Sequence, residues 1–161
     1  MDNTEVLVKI RRIVRSINLE SKKIQKEYGV SIPQVLCLGY LQRAPQFQST
    51  QGEIRKYLNL NASTVSGIIR RLEKKGYLAR LPKSGDKRVV NIALTTSGDQ
   101  LLGKIPALLH EQLTEKLNRL EPDELERVQK GLDTLVNLLD IGSLEASPMI
   151  TIEDDLEEQE A

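Results

Sequence analysis

The run Asn61-Ala-Ser-Thr-Val-Ser-Gly-Ile-Ile-Arg-Arg-Leu-Glu-Lys-Lys-Gly-Tyr-Leu78 carries two incompatible surfaces on one helix. At about 100° per residue, Val65, Ile68, Ile69 and Leu72 fall on one face. Ser63, Ser66, Gly67, Arg70 and Lys74 fall on the other, with Thr64 and Arg71 on its flanks. Asn61 is placed to cap this helix over 62–75 and Gly76 to close it. Just upstream, Thr50 and Glu53 have capping-box spacing, so 51–58 reads as a short helix and 58–61 as a tight turn. Two short helices across such a turn are a helix-turn-helix candidate.

Downstream, 77–81 and 89–94 read as strands separated by a polar segment, 82–88, in which Lys83, Lys87 and Arg88 crowd together. Small hydroxyl residues near a helix start let its backbone approach a groove closely. An Arg further along can bond guanine O6 and N7 or clamp a phosphate. An Arg on a narrow hairpin can enter the minor groove alongside. The plainer reading of 62–75 alone is a solvated amphipathic helix. Asp86 either holds the basic tip by pairing with an Arg or, after Gly85, simply forms a turn.

Working outward, Val6, Leu7, Ile10, Ile13, Val14, Ile17 and Ile24 recur at threes and fours, which predicts a helix over about 6–26 stopped by Gly29. Ser31-Ile32-Pro33 opens another helix to about Arg43, and Ala44-Pro45 ends it. Thr96 with Asp99 resembles a further cap, leading into one long helix to about Leu120, with a bend expected at Pro106. Pro122, with acids around it, starts a last helix whose stripe is Leu125, Val128, Leu132, Leu135, Val136 and Leu139. The expected architecture is mainly α with a small β-hairpin wing. It comprises an N-terminal dimerisation helix (1–32), a winged helix-turn-helix module (33–95), C-terminal dimerisation helices (96–143) and an acidic, disordered tail (144–161). The leucine-rich terminal helices predict a homodimer.

The chain has 161 residues and zero net charge, with 23 basic and 23 acidic side chains. That neutrality hides segregation. Residues 1–50 carry net +4 and 51–96 net +7, against −4 over 97–143 and −7 over 144–161. A polyanion would bind the basic middle. One Cys and one His leave no disulfide and too few ligands for a structural zinc, and no catalytic motif is present, so no metal, cofactor or enzyme activity is expected. The first thirty residues are too regularly charged for a secretory or membrane-spanning segment, so the expected compartment is the cytoplasm, on the nucleoid of a bacterium or archaeon when DNA is bound.

The 61–78 run, Asp86-Lys-Arg88 and Leu94-Thr-Thr-Ser-Gly98 together resemble the MarR-type winged-helix transcription factors, over roughly residues 5–141. The resemblance implies a homodimer with interleaved terminal helices reading a pseudo-palindromic double-stranded DNA site. It also implies an Asp86–Arg88 pair that orients the wing, Arg88 in the minor groove, and groove contact by Ser63, Thr64, Ser66 and Arg70. With Gly67, Arg71, Lys74, Lys83 and Lys87 from the charge and face reading, these make up the expected DNA-binding surface. Occupying a promoter excludes polymerase, so repression is the expected outcome.

Family members respond to small phenolic or anionic ligands or to thiol oxidation. Five aromatics and no His near the expected pocket argue against an aromatic-ligand cage, and no effector is identified. Cys37, inside the apolar run 35–38, reads as a buried small hydrophobe; a redox sensor there would need exposure and nearby positive charge. The stretch 20–33 resembles relatives encoded beside compatible-solute genes, which implies osmotic control by salt-sensitive binding. The acidic tail either solvates the chain or competes with DNA for the basic wings. The main rival is a winged helix that binds protein rather than DNA, but such a module would favour exposed aromatic or aliphatic anchors where 62–75 has Ser, Gly, Arg and Lys.

Overall fold

The computed structural model describes residues 2–82 and 89–152. In chain order the elements are α1 (Thr4–Tyr28), α2 (Ile32–Arg43), a 3₁₀ turn (Pro45–Phe47), β1 (Gln48–Thr50), α3 (Gln51–Leu58) and α4 (Ala62–Lys74). They continue with β2 (Leu78–Arg80), β3 (Asn91–Leu94), α5 (Thr96–Lys104), α6 (Leu109–Asn118) and α7 (Pro122–Leu138). The mainly helical, winged architecture expected from the sequence is therefore present. The chain forms two compact units, 107–147 and the remainder.

The larger unit is built around α2. Its residues from Ile32 to Gly39, and Leu41, are buried, as befits a helix that is apolar nearly all round. Ser31 caps it with a complete capping box, its hydroxyl accepting from the Gln34 N–H while the Gln34 side chain accepts from the Ser31 N–H. The core of this unit also takes in Ile24 of α1, Ile54 and Leu58 of α3, Val65, Ile68, Ile69 and Leu72 of α4, Leu78 of β2, Ile92 of β3 and Leu101 of α5. Burying each such side chain stabilises the fold by about 1.5–3 kcal/mol.

The three antiparallel strands lie in the order β1-β3-β2, with Ser49 opposite Ile92 and Ala79 opposite Ala93. The expected hairpin arms are thus present, though shorter than 77–81 and 89–94. β1 was not expected: Gln-Ser-Thr has no apolar alternation to announce a strand.

Two expectations at the start of the third quarter need correction. The cap of α5 is Thr95, not Thr96. Its hydroxyl accepts from the Gly98 N–H at 3.1 Å and donates to the Gly76 carbonyl at 2.6 Å. The single bent helix over 96–120 is instead two helices. Ile105, ahead of Pro106, is extended at ψ 126°, as the proline ring requires of its predecessor. Leu108 is extended as well, so the proline ends the helix instead of bending it.

In the smaller unit, no residue of α6 or α7 is buried. Leu113, Val128, Leu132 and Leu138 are exposed there, and on α1 so are Leu7, Ile13 and Leu19. Residues 143–146 are exposed, whereas 148–152 belong with the larger unit and Met149, Ile150 and Thr151 are half-buried.

Gly98 fixes the approach of α5 to the wing. A Cβ there would stand 2.2 Å from the Tyr77 carbonyl oxygen and 2.7 Å from Leu94 Cδ1, and the backbone oxygen cannot swing aside. Gly98→Ala should cost about 3 kcal/mol. Gly103→Ala, on the same helix with nothing within 4 Å of its added Cβ, should gain about 0.5–1 kcal/mol. Urea unfolding at one fixed protein concentration separates the two; equal effects would contradict the packing.

Cys37 is fully buried, and desolvation pushes its thiol up to about 12 from an ordinary 9.0. It should resist thiol reagents at pH 8 in the native protein and react fully in urea. Because the unfolded thiol ionises first, stability should fall as pH rises from about 9 toward 12. Rapid native labelling would show that Cys37 opens to solvent.

Candidate nucleic-acid interface

Local hydrogen bonds fix the turn between α3 and α4 before any tertiary packing is considered. The Thr50 hydroxyl accepts from the Glu53 N–H at 3.2 Å and the Glu53 carboxylate accepts from the Thr50 N–H at 3.4 Å, completing the capping box. α3 ends at Asn59, whose left-handed backbone (φ 53°, ψ 45°) lets its N–H reach the Arg55 carbonyl at 2.8 Å. Asn tolerates this conformation better than most non-glycine residues. The Arg55 guanidinium in turn donates to the Leu60 carbonyl at 3.4 Å. Asn61 then caps α4, its side-chain oxygen accepting from the Thr64 N–H at 2.8 Å.

The far end of α4 is equally defined. Gly76 (φ 81°) donates to the Glu73 carbonyl and Tyr77 to the Leu72 carbonyl, both at 3.0 Å, the paired bonds of a Schellman motif. Arg80 of β2 pairs with Glu73 at 3.4 Å. The Lys75 ammonium donates to the Gly29 carbonyl, tying the end of α4 to the end of α1. Its pKa is lowered, first by partial burial and then by Arg71 nearby. Lys75 is therefore a structural cation that the sequence did not single out, since its partner lies 46 residues away.

Between these caps, Val65, Ile68, Ile69 and Leu72 are at most 1% exposed. Ser63, Arg70 and Lys74 are exposed on the outward face as expected, with Ser66 and the flanking Thr64 half-buried. Gly67 is not exposed. It is buried because the Arg71 guanidinium folds back over it; a Cβ on Gly67 would come within 3.1 Å of Arg71 Nη1. Gly67 thus makes room for Arg71, which is itself half-buried, and does not share the exposed face.

β2 and β3 continue α4 into the wing, and the Leu81 N–H bonds the Asn91 carbonyl at 2.8 Å beyond the paired strands. Lys83, Asp86, Lys87 and Arg88 lie outside the described residues. Among the described residues no cluster of His, Cys, Asp and Glu could hold a metal ion, and no helix is long and apolar enough to cross a membrane.

Comparison with known proteins agrees with this geometry. The model of the MarR family matches residues 28–89, from the end of α1 past β2 and short of β3. The HTH-type transcriptional regulator YkoM of Bacillus subtilis is 30% identical over 118 residues, covering 73% of this chain and 75% of YkoM. The multiple antibiotic resistance protein MarR of Escherichia coli is 27% identical over 132 residues, covering 77% of this chain and 90% of that protein. Among solved structures, Staphylococcus aureus MepR in complex with DNA superposes with a TM-score of 0.60 at 27% identity, over 81% of this chain and 96% of MepR. With its capped helix-turn-helix, three-stranded wing and flanking helices, this chain belongs to the MarR family of transcriptional regulators.

Proposed function

We propose that two copies of this chain bind a pseudo-palindromic double-stranded DNA site in the cytoplasm and repress the promoter that contains it. One observation carries the reading: the caps of α4 and its buried aliphatic face turn Ser63, Arg70 and Lys74 outward together. Hydroxyls at the helix start permit close approach to the major groove, and the cations beyond them bond base edges or phosphates. Thr64, Ser66 and Arg71 flank this surface. Lys83, Lys87 and Arg88 extend it into the wing, with Asp86 orienting Arg88 and Arg88 entering the minor groove. That MepR, which this chain resembles, was solved in complex with DNA supports DNA as the partner.

The homodimer is supported by the apolar residues left exposed on α1, α6 and α7, which a second copy would cover. Twofold symmetry then places the two α4 helices about 34–36 Å apart, one turn of B-DNA. Because binding releases counterions, ionic strength weakens the complex directly. Together with the resemblance of 20–33 to relatives encoded beside compatible-solute genes, this salt sensitivity is the ground for proposing osmotic control.

Arg70→Ala and Arg88→Ala should each cost about 1–3 kcal/mol of affinity for the chain's own promoter. Each should also flatten the dependence of log affinity on log salt, by up to about 0.9 for every phosphate left unneutralised. Light scattering should show the dimer unchanged. Full affinity in both variants would refute this docking, and a salt response no steeper than that of a phenol-responsive relative would remove the osmotic assignment.

A further inference from the structure

Tyr40 and Arg43 of α2, Gln48 and Ser49 of β1, and Glu53 and Tyr57 of α3 line an open cleft of about 330 Å³. That volume is at the small end of the roughly 300–1,000 Å³ found for ligand sites. In a chain with five aromatics, two stack here: the Tyr40 and Tyr57 rings lie 4.7 Å apart at 21°.

The two charged groups of the cleft are held by neutral hydroxyls. Arg43 donates to the Tyr57 hydroxyl at 3.1 Å and places its guanidinium carbon 5.9 Å from that ring's centre. The other charged group, Glu53, accepts from the Ser49 hydroxyl at 2.5 Å and from the Thr50 N–H at 3.4 Å. Those bonds, the hydroxyl's first, lower the Glu53 pKa below the usual carboxylate range. Among the described residues, Arg43 and Glu53 form no ion pair with each other. The adjoining loop holds two consecutive non-glycine residues, Gln46 and Phe47, at φ 58°, a strained conformation of the kind concentrated at ligand sites.

A cation and an anion lining one small cleft, unpaired with each other, complement a molecule that carries both charges. We propose that this cleft binds a small zwitterion of amino-acid or betaine size, its carboxylate on the Arg43 guanidinium and its ammonium on the Glu53 carboxylate beside the stacked tyrosines. The planar guanidinium fork suits a carboxylate, and an ammonium is attracted to an anion. A ligand with a single charge leaves one of the two charged groups unanswered. Because α3 leads through the 59–61 turn into α4, occupancy would bear on DNA binding. That consequence rests on the proposed function, whereas the binding itself does not.

The test uses the full chain without DNA, so its failure is distinguishable from failure of the DNA-binding reading. With four tyrosines to follow, selectively labelled protein is titrated with glycine betaine and with glycine, against sucrose at matched osmolality. Saturable shifts at Tyr40 and Tyr57, but not at Tyr28 and Tyr77, are expected with at least one of the zwitterions. Acetate and tetramethylammonium, each half of the betaine, should bind about tenfold more weakly or worse. Two conservative variants should each weaken binding by about tenfold: Arg43→Lys keeps the charge but loses the fork, and Glu53→Gln keeps the capping role. Shifts indistinguishable from sucrose, half-molecules that bind as well as the whole, or undiminished binding in both variants would each overturn the proposal.

Discussion

Burial of Val65, Ile68, Ile69 and Leu72 is the constraint on which everything else in this protein depends. Together these side chains contribute roughly 6–12 kcal/mol of hydrophobic stabilisation. A rotation of α4 by one residue, about 100°, would forfeit most of it and drive charged groups into the core. The outward direction of Ser63, Arg70 and Lys74 is therefore fixed by the inward direction of four aliphatics. α2 supplies the floor for this packing, which explains why a helix apolar nearly all round lies at the centre of the larger unit. The basic surface needs no contacts of its own to be oriented.

What the sequence revealed and what it hid divide along a physical line. Features set by neighbours in the chain were legible: the Thr50–Glu53 capping box, the Asn61 cap, the left-handed glycines 29 and 76, and the amphipathic period of α4. Features set by distant partners were not. β1 is a strand only because β3 offers it an edge, and its three polar residues carry no period of their own. Lys75 reads as one more surface cation until Gly29 is brought to it, and Tyr40 and Tyr57 become a pair only when α2 and α3 pack. Thr95 was missed by one position in favour of Thr96, because either hydroxyl could cap and only the contact with Gly76 decides between them.

Gly67 and Pro106 teach a narrower lesson. Gly67 lies at the angle of the polar face, yet an Arg four residues later bends back and covers it. The same arrangement recurs in α2, where a Cβ on Gly39 would meet Arg43 at 3.4 Å. A glycine four residues before an arginine gives the guanidinium a place to lie along the helix, so the pair acts as one unit and angular position alone misassigns the glycine. Proline inside an apolar period is ambiguous in a similar way. A helix can bend around it or stop at it, and here the extended backbone at both Ile105 and Leu108 marks a stop.

The smaller unit raises the question of what holds it folded. Helices of 10 and 17 residues that bury no side chain cannot offset the conformational entropy of ordering them, since isolated helices of such lengths are marginal in water. Residues 109–138 must therefore owe their structure to surfaces outside themselves. In the proposed pair, the second copy supplies such surfaces through the apolar side chains of α1, α6 and α7. Folding of this unit and association of the chains then become one equilibrium, so that dilution loosens the terminal helices and separates the two α4 surfaces together. A regulator built this way reads its DNA only when both halves are present, because the residues that hold the pair together are the ones that hold its terminal helices in shape.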